Sequence, residues 1–97
     1  MSVSSDQQVE NLKKEAIAEL EAYILVQFEL QQNIRASDLK SIYRQFVFKH
    51  PGLELPEQEE MIKKVNEKLM QEKGYKANQI QDFIIYSDTN ILKNTSD

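Results

Sequence analysis
Residues 34–70 read IRASDLKSIYRQFVFKHPGLELPEQEEMIKKVNEKLM, and this stretch decides the fold. Leu39, Ile42, Tyr43, Phe46 and Val47 recur at three- and four-residue steps, the spacing that draws one apolar stripe along a helix. Ser37 stands where its hydroxyl can accept free backbone N–H groups, and Asp38 places a negative charge near the positive end of the helix dipole. This helix, the second of three, is predicted to run to about Lys49, where Pro51 and Gly52 stop it. Leu53 and Leu55 are expected to plug the core from the loop, and Pro56 suits the start of a third helix. In that helix Met61, Ile62, Val65 and Leu69 keep helical spacing, with Glu57, Glu59 and Glu60 at its start and Lys73 at its end, followed by Gly74 as a natural C-cap.

Working outward toward the N-terminus, Val9, Leu12, Ala16, Ile17, Leu20, Ile24 and Phe28 predict a first helix ending near Gln31. Its C-terminal half is apolar nearly all round, because Tyr23, Leu25, Val26 and Leu30 lie off the main stripe. That half is either the centre of the core or a surface completed by a partner. Toward the C-terminus, Phe83 to Tyr86 form a short apolar run rich in β-branched and aromatic residues, which favours a strand. A strand needs a neighbour for its backbone groups, and the candidates are the stretch around Ile80 and the segment around Ile34. The expected fold is mainly α, with a three-helix, winged-helix-like core and a short C-terminal strand or hairpin. A plain three-helix bundle with an extended tail has the same element order. Residues 9–92 are expected to form the single domain, with frayed, disordered polar tails at 1–8 and 93–97.

A chain of 97 residues has apolar residues enough for one core. It contains no cysteine, so disulfides and thiolate metal sites are excluded. The longest apolar run, Tyr23 to Leu30, is interrupted by Gln27 and Glu29 and falls well short of the ~20 residues that span a bilayer. The first residues lack the basic start and apolar stretch of a secretory signal, so a cytoplasmic or nuclear location is expected. The net charge of −4 lies entirely in residues 1–32, and residues 33–97 sum to zero. A mildly acidic chain gains little long-range attraction to phosphates, so a nucleic-acid role would need a local basic face.

The residues that could line such a face are Arg35, Lys40, Arg44, Lys63, Lys64, Lys68 and Lys76. The alternative is a solvated surface in which Glu59 pairs with Lys63 and Glu60 with Lys64 at i, i+4 spacing, each worth roughly 0.3–0.5 kcal/mol. His50, the single histidine, has no nucleophile or orienting carboxylate supplied by a motif and suits a helix end. Two glycines cannot build a phosphate-cradling loop. No ligand spacing suggests a metal, and neither an enzymatic activity nor a cofactor is expected. Tyr43, Phe46, Phe83 and Tyr86 fit a core better than a base-stacking platform, whereas Phe48 falls off the apolar face of its helix.

From Ile34 to Met70, with Ser37 at the cap, Leu39 and Ile42 in the first helix, Leu55 in the loop and Ile62, Val65 and Leu69 in the second, the chain resembles the DEK C-terminal domain. The stretch from Ser37 to Tyr86 also resembles the winged-helix domain at the C-terminus of viral and plasmid primase-helicases. The first resemblance implies DNA binding through the last helix, often with self-association. The matched helix departs from a one-sided basic surface, since Glu59, Glu60, Glu67 and Glu72 alternate with Lys63, Lys64, Lys68 and Lys73. The leading expectation is a non-enzymatic binding module in a DNA replication or transcription assembly. The alternative is a protein-interaction or dimerisation subunit that uses Tyr23, Leu25, Val26, Leu30 and Phe48. A third reading is a regulatory inhibitor whose Glu15, Glu19 and Glu21 mimic phosphate charge. DNA, a protein partner or a second copy are thus the expected partners, with no membrane and no small-molecule substrate.

Overall fold
The computed structural model describes the backbone of residues 5–89 and the side chains of residues 7–89. Three helices, α1 (Ser5–Glu29), α2 (Ala36–Phe48) and α3 (Gln58–Lys73), are followed by an antiparallel hairpin of β1 (Tyr75–Ile80) and β2 (Phe83–Asp88). Helix α1 begins four residues before the apolar pattern at Val9. Ser5 to Gln8, expected in a frayed tail, form its first turn. The expected tails at 1–4 and 93–97, and the domain boundary at residue 92, lie outside the described residues.

The core is one cluster drawn from the three helices and β2, with Tyr75 and Ala77 of β1 packed against it. Ala16, Leu20 and Ile24 of α1 meet Leu39, Tyr43 and Phe46 of α2, Met61, Ile62, Val65 and Leu69 of α3, and Ile84 and Tyr86 of β2. Leu55 packs against this cluster from the loop as expected, whereas Leu53, expected beside it, is half-buried and not among the residues packed on the core. Gly74 ends α3 with φ 71°, the left-handed conformation that glycine adopts without a Cβ clash, and its N–H donates to the Met70 carbonyl at 3.0 Å. The Gly74 carbonyl then accepts both the N–H and the hydroxyl of Thr89, at 2.9 and 2.6 Å, which closes the open end of the hairpin.

Both candidate neighbours of the C-terminal strand are used. β2 pairs with β1 from Ile80↔Phe83 to Tyr75↔Asp88, through a two-residue turn in which Gln81 takes φ 56°. On its other side β2 meets the link between α1 and α2, where Arg35 bridges Phe83 and the Ile84 N–H donates to the Ile34 carbonyl at 2.8 Å. The Arg35 guanidinium carbon lies 5.2 Å from the centre of the Phe83 ring, a cation–π contact.

The start of α2 departs from the sequence reading. Its N-cap is Arg35, in extended conformation, and Ser37 lies inside the helix. The free N–H groups are taken up from a distance by Asp82 at the hairpin turn. Its carbonyl accepts the Ala36 N–H at 2.6 Å, its Oδ1 accepts the Ser37 N–H at 3.0 Å, and its Oδ2 accepts the Ser37 hydroxyl at 2.7 Å. A carboxylate 45 residues away thus does what a local cap usually does.

The Ser37 hydroxyl bond, followed by the Ser37 backbone bond and the charges of Arg35 and Lys40, holds the Asp82 carboxyl below its ordinary value against the opposing effect of desolvation. A carboxyl with a depressed folded-state pKa contributes stability that is fully present above its unfolded-state value and is lost as pH falls through the folded one. Asp82→Asn is therefore expected to melt at lower temperature than the parent at neutral pH. The gap between the two should close as the pH is taken below the ordinary carboxylate range, as followed by circular dichroism. A constant gap across that range would show that the charge of Asp82 is not what holds α2.

Candidate functional site
The seven basic residues are not gathered on one face. Lys68 Nζ reaches across to Glu21 Oε1 of α1 at 3.2 Å, and Lys40 Nζ lies 3.6 Å from Glu59 Oε1. Glu59 therefore serves α2 rather than Lys63, and neither expected i, i+4 pair of α3 is among the ion pairs of the described residues. Lys64 is half-buried and close enough to α1 for its charge to be one of those lowering the Glu10 carboxyl, behind the bond and charge of Lys13 and the charge of Lys14. Arg35 is spent on Phe83, and Arg44 stands exposed on α2. Lys63 and Lys76 meet on a groove of about 580 Å³ between α3 and β1 that Asn66, Glu67, Met70 and Ala77 also line, and Arg35 and Lys40 both stand near Asp82.

The expected protein-contact residues divide as well. Tyr23 and Leu25 are half-buried and pack against the core, and Ile24 between them is fully enclosed. The apolar second half of α1 is thus largely covered within the chain. Burial is the main influence raising the Tyr23 hydroxyl above its usual value, with the nearby Asp38 carboxylate adding to it. Val26 and Leu30 remain half or more exposed, and Phe48 is 85% exposed at the end of α2. On the acidic side of α1, Glu15 and Glu19 face solvent, whereas Glu21 turns inward to Lys68.

The apolar surface that sequence reasoning missed is on the hairpin. In the register Ile80↔Phe83 and Asn78↔Ile85, the side chains of Ile80, Phe83 and Ile85 share the face turned away from Ile84 and Tyr86. Ile80 is 51% and Ile85 49% exposed. The alternation exposed, buried, exposed, buried along Phe83 to Tyr86 shows that this run is apolar on both faces although only one meets the core. A signal was present: a continuous apolar run, rather than an alternating one, implies that both sides of the strand are covered. Next to this face a groove of about 980 Å³ opens between the end of α1, residues 31–34 and the hairpin. Leu25, Phe28, Tyr75, Ile80, Phe83 and Ile85 are among its walls, and the Phe28 and Tyr75 rings pack at 4.8 Å between centroids.

The buried polar groups act as ties. Tyr86 donates to Asn66 Oδ1 at 2.5 Å, joining hairpin to α3, and Tyr43 donates to the Pro56 carbonyl at 2.7 Å, joining α2 to the loop. Burial, reinforced by the charges of Glu60 and Glu57, pushes the Tyr43 hydroxyl up to about 12, and burial alone raises that of Tyr86. His50 rests on the Phe46 ring, 4.9 Å between centroids, at the end of α2. Among the described residues no group of three or more histidines, cysteines or carboxylates is placed to hold a metal ion. None of their helices is long and apolar enough to cross a membrane. No family model, curated protein or solved structure matches the chain.

Proposed function
We propose that this chain is a non-catalytic protein-interaction module that meets its partner through the outer face of the hairpin and the groove beside it. The observation that carries this reading is the exposed set Ile80, Phe83 and Ile85, contiguous across two strands and bordered by the apolar groove. Contiguous exposed apolar surface rimmed by polar groups marks interaction sites, whereas isolated exposed residues such as Phe48 need no such explanation. The dispersal of the basic residues supports the same choice, because Lys40 and Lys68 are engaged by carboxylates.

A second reading, direct nucleic-acid binding, is favoured by one observation: Lys63 of α3 and Lys76 of β1 share a groove. The element order, with a short bridged segment between α1 and α2 and a hairpin after α3, agrees with a winged-helix arrangement and with the DNA-associated role that the resemblances imply.

Ile85→Lys puts a charge on the outer face without touching the inner one. It is expected to keep the helical circular dichroism of the parent and to lose a stoichiometric partner that the parent retains in a paired affinity capture. Lys63→Ala with Lys76→Ala leaves the Ile85 face intact and should weaken capture without abolishing it. Duplex DNA binding that falls with rising salt and disappears in the double lysine variant, with capture unaffected by Ile85→Lys, would replace the protein-interaction reading by the nucleic-acid one.

A further inference from the structure
We infer that the edge of β1 left unpaired among the described residues, together with the α3 face beside it, receives an extended acidic peptide as an added strand. This rests on the protein-interaction reading and names the kind of segment that a partner would supply.

The sheet is asymmetric. β2 has a neighbour on each side, β1 and the Ile34–Arg35 link, whereas β1 has only β2 among the described residues. The direction of each backbone group follows from one bond. The Ile84 N–H donates to the Ile34 carbonyl, so Ile84 and its opposite number Gln79 turn their backbone groups away from each other. Alternation then sends the N–H and C=O of Tyr75, Ala77 and Gln79 to the outer edge, while Lys76, Asn78 and Ile80 bond to β2. An edge of this kind is a template for one more strand, and pairing to it is a recurring way to bind an extended peptide.

The α3 face gives the edge its selectivity. Lys63, Asn66, Glu67 and Met70, at i, i+3, i+4 and i+7, form one wall of the groove, with Lys76, Ala77 and Thr89 on the other side. Neither Lys63 nor Lys76 is in an ion pair among the described residues. They flank the slot with two positive charges against the single carboxylate of Glu67. Met70, 47% exposed, and the small Ala77 offer an apolar contact between them. A strand laid here presents alternate side chains to the two faces, so an acidic residue on the outer face can meet Lys76 while its neighbour on the α3 face covers Met70 and Ala77 beside Lys63. A second copy of this chain fits less well. It would bring its own Lys63 and Lys76 to the same slot, so like charges would meet where an acidic peptide presents opposite ones.

The test uses the ¹⁵N-labelled full chain and, as probe, an N-acetylated, C-amidated octapeptide of alternating glutamate and valine, with the lysine–valine counterpart as control. Hydrogen exchange is expected to slow at the amides of Tyr75, Ala77 and Gln79 with the acidic probe and not with the basic one. Lys63→Glu with Lys76→Glu should weaken binding about tenfold or more, and added salt should weaken it in the parent. Gln79→Pro removes an outward N–H that the β1–β2 ladder does not use, and it should abolish binding while leaving the hairpin resonances in place. Unchanged exchange at all three amides with millimolar probe would overturn the edge site. So would perturbation confined to Ile80, Phe83 and Ile85, which would leave the interaction module standing. Duplex DNA shifting Lys63 and Lys76, with no response to either peptide, would remove both.

Discussion

Truncating Ile24 to alanine is expected to lower the unfolding free energy by about 2–5 kcal/mol, the range for removing a large aliphatic side chain from a closed core. Ile24 is 0% exposed and lies among Leu20, Leu39, Val65 and the other members of one cluster, so the vacated volume has no solvent to fill it. A domain of this size has about 5–15 kcal/mol in total, so the variant should melt roughly 8–40 °C below the parent at about 4–8 °C for each kcal/mol. Val26→Lys, two residues on and half exposed, should stay within about 0.5 kcal/mol. Urea titration followed by circular dichroism, with light scattering for mass, separates the cases. If Ile24→Ala leaves stability intact and Val26→Lys destroys it, the second half of α1 is completed by another molecule and not by its own chain.

Lys68→Ala is expected to cost about 1–2 kcal/mol, because it strips the partner from a carboxylate that is largely enclosed. Glu21 is 14% exposed in its side chain, its Oε1 is bound only by Lys68, and its Oε2 is buried with no hydrogen bond among the described residues. The Lys68 side chain is itself 37% exposed, and water reaching it keeps the figure below that for a fully enclosed pair. Glu21→Leu combined with Lys68→Met should recover most of the loss, since replacing both members leaves no charge stranded. Equilibrium unfolding of the parent, both single variants and the double gives the coupling directly. A double variant as unstable as Lys68→Ala alone would show that the pair is favourable in its own right.

The elements that rest on local rules were legible. Three- and four-residue spacing placed α2 and α3, proline and glycine separated them, and Gly74 ended α3 in the conformation its missing side chain permits. The short apolar run after Gly74 required strand neighbours, and both segments named for it, around Ile34 and around Ile80, are the ones that pair. β1 itself was weakly marked, because YKANQI carries few β-formers and owes its conformation to the ladder with β2.

What stayed hidden depends on contacts between distant residues. Ser37 had every local qualification for a cap, yet the chain enters α2 two residues earlier, with Arg35 as the cap, and Asp82 arrives from the hairpin to take the Ser37 N–H. The lysines of α3 had carboxylates at i, i+4, but Lys68 found Glu21 on another helix and Glu59 found Lys40. Which carboxylate a flexible lysine meets is decided by tertiary packing, and surface pairs along one helix are too weak to compete with it. The start of α1 was missed for a different reason: Ser5 to Gln8 have no apolar residue to reveal a period, although their backbone continues the helix.

The bond between Ser37 and Asp82 has a consequence for the order in which the molecule is made. Helices form from neighbouring residues within microseconds, whereas this contact joins positions 45 residues apart and must overcome the entropy of closing that loop. During synthesis α1, α2 and α3 emerge first, with the start of α2 still open and the core side of Ile34 uncovered. The hairpin is the clasp. Until the ribosome has released residues 82–84 there is nothing to fasten, and a nascent chain halted at Lys73 exposes the apolar surface that molecular chaperones recognise.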